Sequence, residues 1–263
     1  MSVPTRVREL PGARIAYDVA GDGPSVVLIH GWACRRADFA PIMADLARDH
    51  RVLALDLPWH GESTSDLQYW PIDDLAALVA AIAADEGMRD CALVGHSAGA
   101  AVAVEAVLAG AGRRVVALDG LTFMHMYPRI APDAAERVLA PFRDDFPAAV
   151  RALCERAAGP GTDPAITQQV ADEMAQMDPV VGVRMLAGLL AWDMDAALGR
   201  AEGLGLSVTA CAARCLLAPE VVDAYGHRFE IVPVDLGGHF FLREDPSGTA
   251  DFIRRALTPV SGT

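Results

Sequence analysis

Gly95-His96-Ser97-Ala98-Gly99 follows the short apolar run Cys91-Ala92-Leu93-Val94 and opens a proline-free, Ala- and Val-rich stretch from Ala98 to Gly110. Gly-x-Ser-x-Gly between a strand and a helix is the pattern of a nucleophile elbow, a sharp turn that lifts a serine off the end of a strand. Such a turn needs strained backbone angles and close helix–strand approach, which side chains larger than glycine obstruct. A buried serine in a glycine-rich turn is the plainer alternative. The apolar run before the motif and the helical stretch after it favour the elbow.

Outward from this point the chain alternates strand and helix patterns. Ser25 to Ile29, Val52 to Leu55 and Val115 to Leu118 read as strands buried on both faces. Ala37 to Asp49 and Ile72 to Glu86 read as helices, and Pro11-Gly12 as a hairpin turn between Val7–Leu10 and Arg14–Val19. Alternation of this kind predicts a parallel sheet covered on both faces. It breaks from Leu121 to about Gly205, a mostly helical, Met-rich stretch that reads as an inserted cap. The expected division is therefore a core over residues 1–121, a cap over 122–205 and a second core segment over 206–263. Sheet pattern resumes at Arg214 to Ala218 and at Phe229 to Leu236, and Asp251 to Leu257 reads as a closing helix.

Composition narrows the function classes. A net charge of −13 argues against nucleic acid and anionic membranes as partners. All 22 basic residues are arginine, so no lysine Schiff base, pyridoxal-phosphate lysine or P-loop lysine exists. The five cysteines are scattered, and Cys211-x-x-x-Cys215 lacks a second ligand pair, so buried free thiols are expected and a zinc site is not. No apolar run approaches the length of a membrane span, and no signal-peptide core follows Met1. A soluble, cytoplasmic protein with a small-molecule substrate, no cofactor and no metal is expected, with room for a homodimer.

An activated serine needs a base within hydrogen-bond reach and an acid that orients the base. His239, in Leu236-Gly237-Gly238-His239, follows the last strand pattern, where parallel sheets bind their ligands. His50, His125 and His227 sit in weaker positions. Two backbone N–H groups must face the developing oxyanion. Ala98, after the serine, and Trp32, in His30-Gly31-Trp32, are the candidates, and His30 reads as a structural support of that loop.

His-Gly-Trp at 30–32, Asp56-Leu57-Pro58-Trp59-His60-Gly61-Glu62-Ser63, Gly95 to Gly99 and Gly238-His239 stand in an order that resembles the α/β-hydrolase superfamily along nearly the whole chain. The resemblance implies an α/β-hydrolase fold: a mostly parallel eight-stranded sheet, helices on both faces, and a helical cap after strand 6. In most of that superfamily the acid follows the seventh strand. Here Pro219 to Tyr225 reads as a helix, and only fifteen residues lie between Asp223 and His239, so the usual acid-bearing loop reads as deleted. Asp119, at the end of the strand before the cap, is the preferred acid, with Asp223 or Glu220 as alternatives.

The reading that results is a serine hydrolase of small apolar esters, thioesters or lactones, with Ser97, His239 and Asp119 as its triad. Trp32, Phe123, Met124, Met126 and Trp192 are candidate substrate contacts, although residues at such spacing more often form core. Alternatives are a carbon–carbon bond hydrolase, a non-enzymatic homologue, and a cofactor-independent dioxygenase. The last resembles the quinolone 2,4-dioxygenase group in His-Gly-Trp and in an acid after the sixth strand.

Overall fold

Six apolar runs form the parallel part of a single sheet in a computed structural model that describes residues 4–122 and 130–258. They are β3 (Ser25–Ile29), β4 (Arg51–Leu55), β6 (Cys91–His96), β7 (Gly112–Leu118), β8 (Ser207–Ala213) and β9 (Glu230–Val234). The antiparallel hairpin β1 (Arg6–Leu10) and β2 (Ala13–Ala20) joins at β4. A two-residue β5 (Thr64–Ser65) pairs with β2 off the main path. The eight long strands run in the order β1-β2-β4-β3-β6-β7-β8-β9.

Chain direction across the sheet reverses at β3. From β3 the chain crosses to β4 on one side, then returns past β3 to β6 on the other. Right-handed crossovers put the connecting helices of the two halves on opposite faces. Accordingly α1 (Ala40–Leu46) packs with the closing helix α11 (Pro246–Leu257), and α2 (Ile72–Asp85) packs with α3 (Ala98–Leu108). The gap between diverging connections, at the carboxyl ends of β3 and β6, is where open α/β sheets bind ligands. Val26 to Ile29, Leu93 and Val94 have no accessible surface, as strands covered on both faces require.

Among the described residues, five helices lie between β7 and β8: α4 (Pro132–Asp144), α5 (Phe146–Ala157), α6 (Pro164–Met174), α7 (Pro179–Ala191) and α8 (Met194–Gly203). They follow the sixth long strand. Asp145, Asp163, Asp178 and Asp193 cap α5 to α8, each accepting a backbone N–H of the first turn through its side chain.

The closing helix starts five residues earlier than its sequence reading, at Pro246, and two further elements differ more. The strand expected at Arg214–Ala218 lies seven residues earlier, at Ser207–Ala213. Leu216 N–H and Leu217 N–H both donate to Ala213 O, which turns the chain out of the sheet. The helix expected over Ala37–Asp49 is a 3-10 turn (Arg36–Phe39) followed by the shorter α1, because Pro41 has no N–H to continue an earlier helix. Among the five free cysteines, Cys91, Cys154 and Cys211 are buried as expected, whereas Cys215 is exposed.

Helix α3 approaches the end of β3 closely. A Cβ on Gly99 would stand 2.3 Å from Ile29 O and 2.6 Å from His30 O, both backbone atoms with no room to move. Gly99→Ala is therefore expected to cost about 3 kcal/mol or more, as overpacking against rigid neighbours does. A urea midpoint unchanged from wild type would contradict this packing.

Candidate active site

Ser97 links β6 to α3 with φ 51° and ψ −123°, a conformation non-glycine residues seldom adopt. Strain of this kind costs about 1–3 kcal/mol and persists only where the surroundings enforce it. Here Ser97 N–H donates to Leu118 O of β7 at 3.0 Å, and Ser97 O accepts Ala100 N–H at 2.9 Å. The turn is pinned on both sides, and the serine stands half-buried at the head of α3.

Asp119 leaves β7 in the left-handed region, φ 45°, and is 1% exposed. Its Oδ1 accepts Ala213 N–H at 2.9 Å, and its Oδ2 lies 2.7 Å from His239 Nδ1. A carboxylate opposite Nδ1 places the proton on that nitrogen and leaves the Nε2 lone pair available as a base. His239 is 4% exposed, and its loop is held by its N–H donating to Ala157 O at 2.8 Å, at the end of α5. Asp119 is thus the carboxylate brought to His239. Glu220 and Asp223 sit exposed on α9 (Pro219–Tyr225). The loop after β8 is present at 214–218 rather than deleted, but carries no carboxylate: it reads Arg-Cys-Leu-Leu-Ala.

His96 has a role that its place in the motif did not announce. Its Nε2–H donates to His239 O at 2.9 Å, and its ring lies 4.7 Å from the His239 ring, tilted by 41°. Burial and the neighbouring His239 push its pKa well down, so it stays neutral beside His239.

Ser97 and His239 share a narrow cavity of about 30 Å³, and α5, α6 and α7 contribute Leu153, Met174, Leu186 and Leu189 to its wall. Trp32 also lines it. The Trp32 indole Nε1–H donates to Gly182 O of α7 at 2.8 Å, and its ring meets Phe142 and Phe146 edge-on. Ala98 is the first residue of α3, where N–H groups have no partner within the helix. Trp192 is not part of this wall; its indole donates to buried Glu105 at 2.9 Å, which also pairs with Arg200 at 2.6 Å. Phe123, Met124 and Met126 lie outside the described residues. Leu153, Met174 and Leu186 escape sequence reasoning because their helical spacing is that of any core helix.

The loop after β3 is held by ions and neutral histidines. Asp56 receives Arg36 N–H at 2.7 Å, Glu62 N–H at 2.9 Å and the Arg36 guanidinium. Leu57 N–H donates to His30 Nε2 at 3.0 Å, and Ala33 N–H to His60 Nε2 at 3.1 Å. The opposite nitrogen of each ring donates to a carbonyl, Gly31 O and Pro58 O. Burial lowers the pKa of His30 to about 4, and burial with the adjacent His30 lowers that of His60 to about 3. Among the described residues no cluster suited to a metal ion occurs, and no helix is long and apolar enough to cross a membrane.

A family model described as "Alpha/beta hydrolase family" matches residues 26–252. A pimeloyl-[acyl-carrier protein] methyl ester esterase of Xanthomonas campestris is 36% identical over 140 residues, 53% of each chain. The match thus spans about half the length of that relative. A protein of the same name from Methylococcus capsulatus is 30% identical over 231 residues, 84% of this chain and 82% of its own. An esterase structure from Exiguobacterium antarcticum superposes with a TM-score of 0.81 at 13% identity, over 96% of this chain and 98% of that one, a likeness of fold.

The neutral histidines carry a stability consequence. Unfolded, His30 and His60 titrate near pH 6.5; folded, near 4 and 3. Below pH 6.5 the unfolded chain binds more protons, so stability falls with falling pH until the folded pKa is reached. Between pH 7 and 5 each should cost about 2 kcal/mol. Urea denaturation should show this loss, and His60→Gln should have a shallower pH dependence; an equal slope in both proteins would rule it out.

Proposed function

Since the chain belongs to the alpha/beta hydrolase family, we propose that it is a serine esterase whose triad is Ser97, His239 and Asp119. The observation that carries this reading is the buried 2.7 Å contact between Asp119 Oδ2 and His239 Nδ1, at the mouth of an elbow whose serine has φ 51°. Relatives named as methyl ester esterases support a carboxylic ester as substrate. The same steps would serve a thioester or lactone.

In acylation Ser97 Oγ attacks the ester carbonyl while its proton passes to His239 Nε2. Negative charge gathers on the carbonyl oxygen, where the N–H groups of Trp32 and Ala98 stabilise it without having to reorient. The imidazolium formed is stabilised by Asp119 and then gives its proton to the departing alcohol. Water, deprotonated by His239, attacks the acyl-serine by the same route and releases the acid. The walls from α5, α6 and α7 support the reading of 122–205 as a cap over a core of 1–121 and 206–263. Five unpaired cysteines fit a reducing cytoplasm.

Asp119→Asn tests the acid. Asparagine can still accept Ala213 N–H, so folding should survive, but its amide disfavours the required His239 tautomer. By analogy with other triads, kcat should fall about 10⁴-fold. Retained activity there, with Asp223→Asn inactive, would move the acid to α9. A fluorophosphonate should add once to the wild type and not to Ser97→Ala, read by intact mass. A folded wild type that gains no adduct overturns the serine-hydrolase reading.

A further inference from the structure

Three residues are shared by the cavity at Ser97 and a larger one beside it. Cys34, Met174 and Phe240 line the 30 Å³ apolar cavity at Ser97 and also a second cavity of about 200 Å³ on its far side. Away from Ser97, His96 and His239, the inner cavity is otherwise walled by apolar side chains, Leu153, Leu186, Leu189 and Trp32 among them. The outer one is polar, with Arg35, Asp38, Glu173 and Arg243 at its wall.

Resting on the esterase reading, we propose that Met174, with Cys34 and Phe240, is a partition that confines the acyl group to the inner cavity, so that this protein prefers esters of short acyl chains with polar alcohols. The chemistry assigns the two sides. After attack by Ser97 the acyl group stays bound, whereas the alcohol must leave. The half that departs belongs in the roomier, polar cavity, and the half that stays belongs in the enclosed apolar one. Space of about 30 Å³ is that of roughly two water-sized probes, which suits an acetyl or propionyl chain and not a longer one.

Met174 is held where it stands. It is 4% exposed, and Cys154 Sγ lies 3.7 Å from its sulfur. Glu173, its neighbour on α6, pairs with Arg35 at 2.8 Å and Arg243 at 2.5 Å, and Arg243 pairs with Asp38 at 2.9 Å. This network ties the last turn of α6 to the loop after β3 and to α10 (Phe241–Glu244). The turn of α6 that carries Met174 therefore cannot shift without breaking partly buried ion pairs.

The test is kcat/KM for p-nitrophenyl acetate, butyrate, hexanoate and octanoate, with wild type, Met174→Ala and Cys34→Ala. A chain that overfills a rigid pocket loses about tenfold or more per step of misfit, so the wild-type octanoate-to-acetate ratio should be low, about 0.01. Opening the partition from either side should raise that ratio about tenfold or more. Cys34→Ala acts from the core side and keeps the test decisive should the α6 variant not fold. A wild type that cleaves octanoate as readily as acetate overturns the proposal while leaving the esterase reading in place. So does an unchanged ratio in folded variants. No cleavage of any of the four esters removes the esterase reading, and this inference with it.

Discussion

A carboxylate shut away from water must be met by donors or it destabilises the fold by several kcal/mol. Asp119 is 1% exposed, and its two oxygens are met by Ala213 N–H and His239 Nδ1. These partners come from the end of β8 and the loop after β9, so the carboxylate is satisfied only when three neighbouring strands are in register. The chain between β7 and β8 must return to that place before β8 can form. Sheet pairing and the arrangement of the site are therefore one requirement, and a slip in either leaves a buried ion exposed to its own desolvation cost.

The other half of the site rests on a similar device with different chemistry. The loop after β3 is irregular and buried, so its backbone groups need partners that no sheet supplies. Asp56 accepts Arg36 N–H and His60 accepts Ala33 N–H, while His30 in turn accepts Leu57 N–H of the loop after β4. Gly61 closes around the same carboxylate: a Cβ there would stand 2.3 Å from Asp56 Cγ. The segment Asp56 to Ser63 acts as a backbone clamp, and its Trp59, His60 and Gly61 also line the 200 Å³ cavity. Ser63 Oγ donates to Asp56 O at 2.8 Å and accepts Ala16 N–H at 2.9 Å, tying the clamp to β2.

What could be read from sequence alone follows from how much each feature depends on backbone. The elbow is legible because Gly95 and Gly99 leave no room for alternatives, and β3 and β6 because their apolar runs are bulky. The strand β8 is not, since Ser-Val-Thr-Ala-Cys-Ala-Ala has small side chains and no alternation, while the adjacent Leu216-Leu217 imitates a strand. Asp119 could be preferred over Asp223 by counting residues, yet the reason offered, a deleted loop, is replaced by a loop that lacks an acid. His96 and Met174 were invisible as site residues because what matters is where their side chains end, and local spacing does not report that.

Trp32 joins these parts. Its backbone is the proposed oxyanion donor, and its indole is fastened to α7 through Gly182 O, with Phe142 of α4 and Phe146 of α5 against its ring. The helices above the serine thus reach the reacting centre by two routes, the α5 carbonyl of Ala157 that holds His239 N–H and the indole that holds the loop after β3. An oxyanion donor displaced by a fraction of an ångström loses much of its effect, since such stabilisation depends on donors already aimed at the developing charge. Movement of α5 or α7 away from the sheet would loosen the base and the oxyanion donor together. The placement of these helices and of the proposed catalytic groups is in this way mechanically linked, with Trp32 as the shared part.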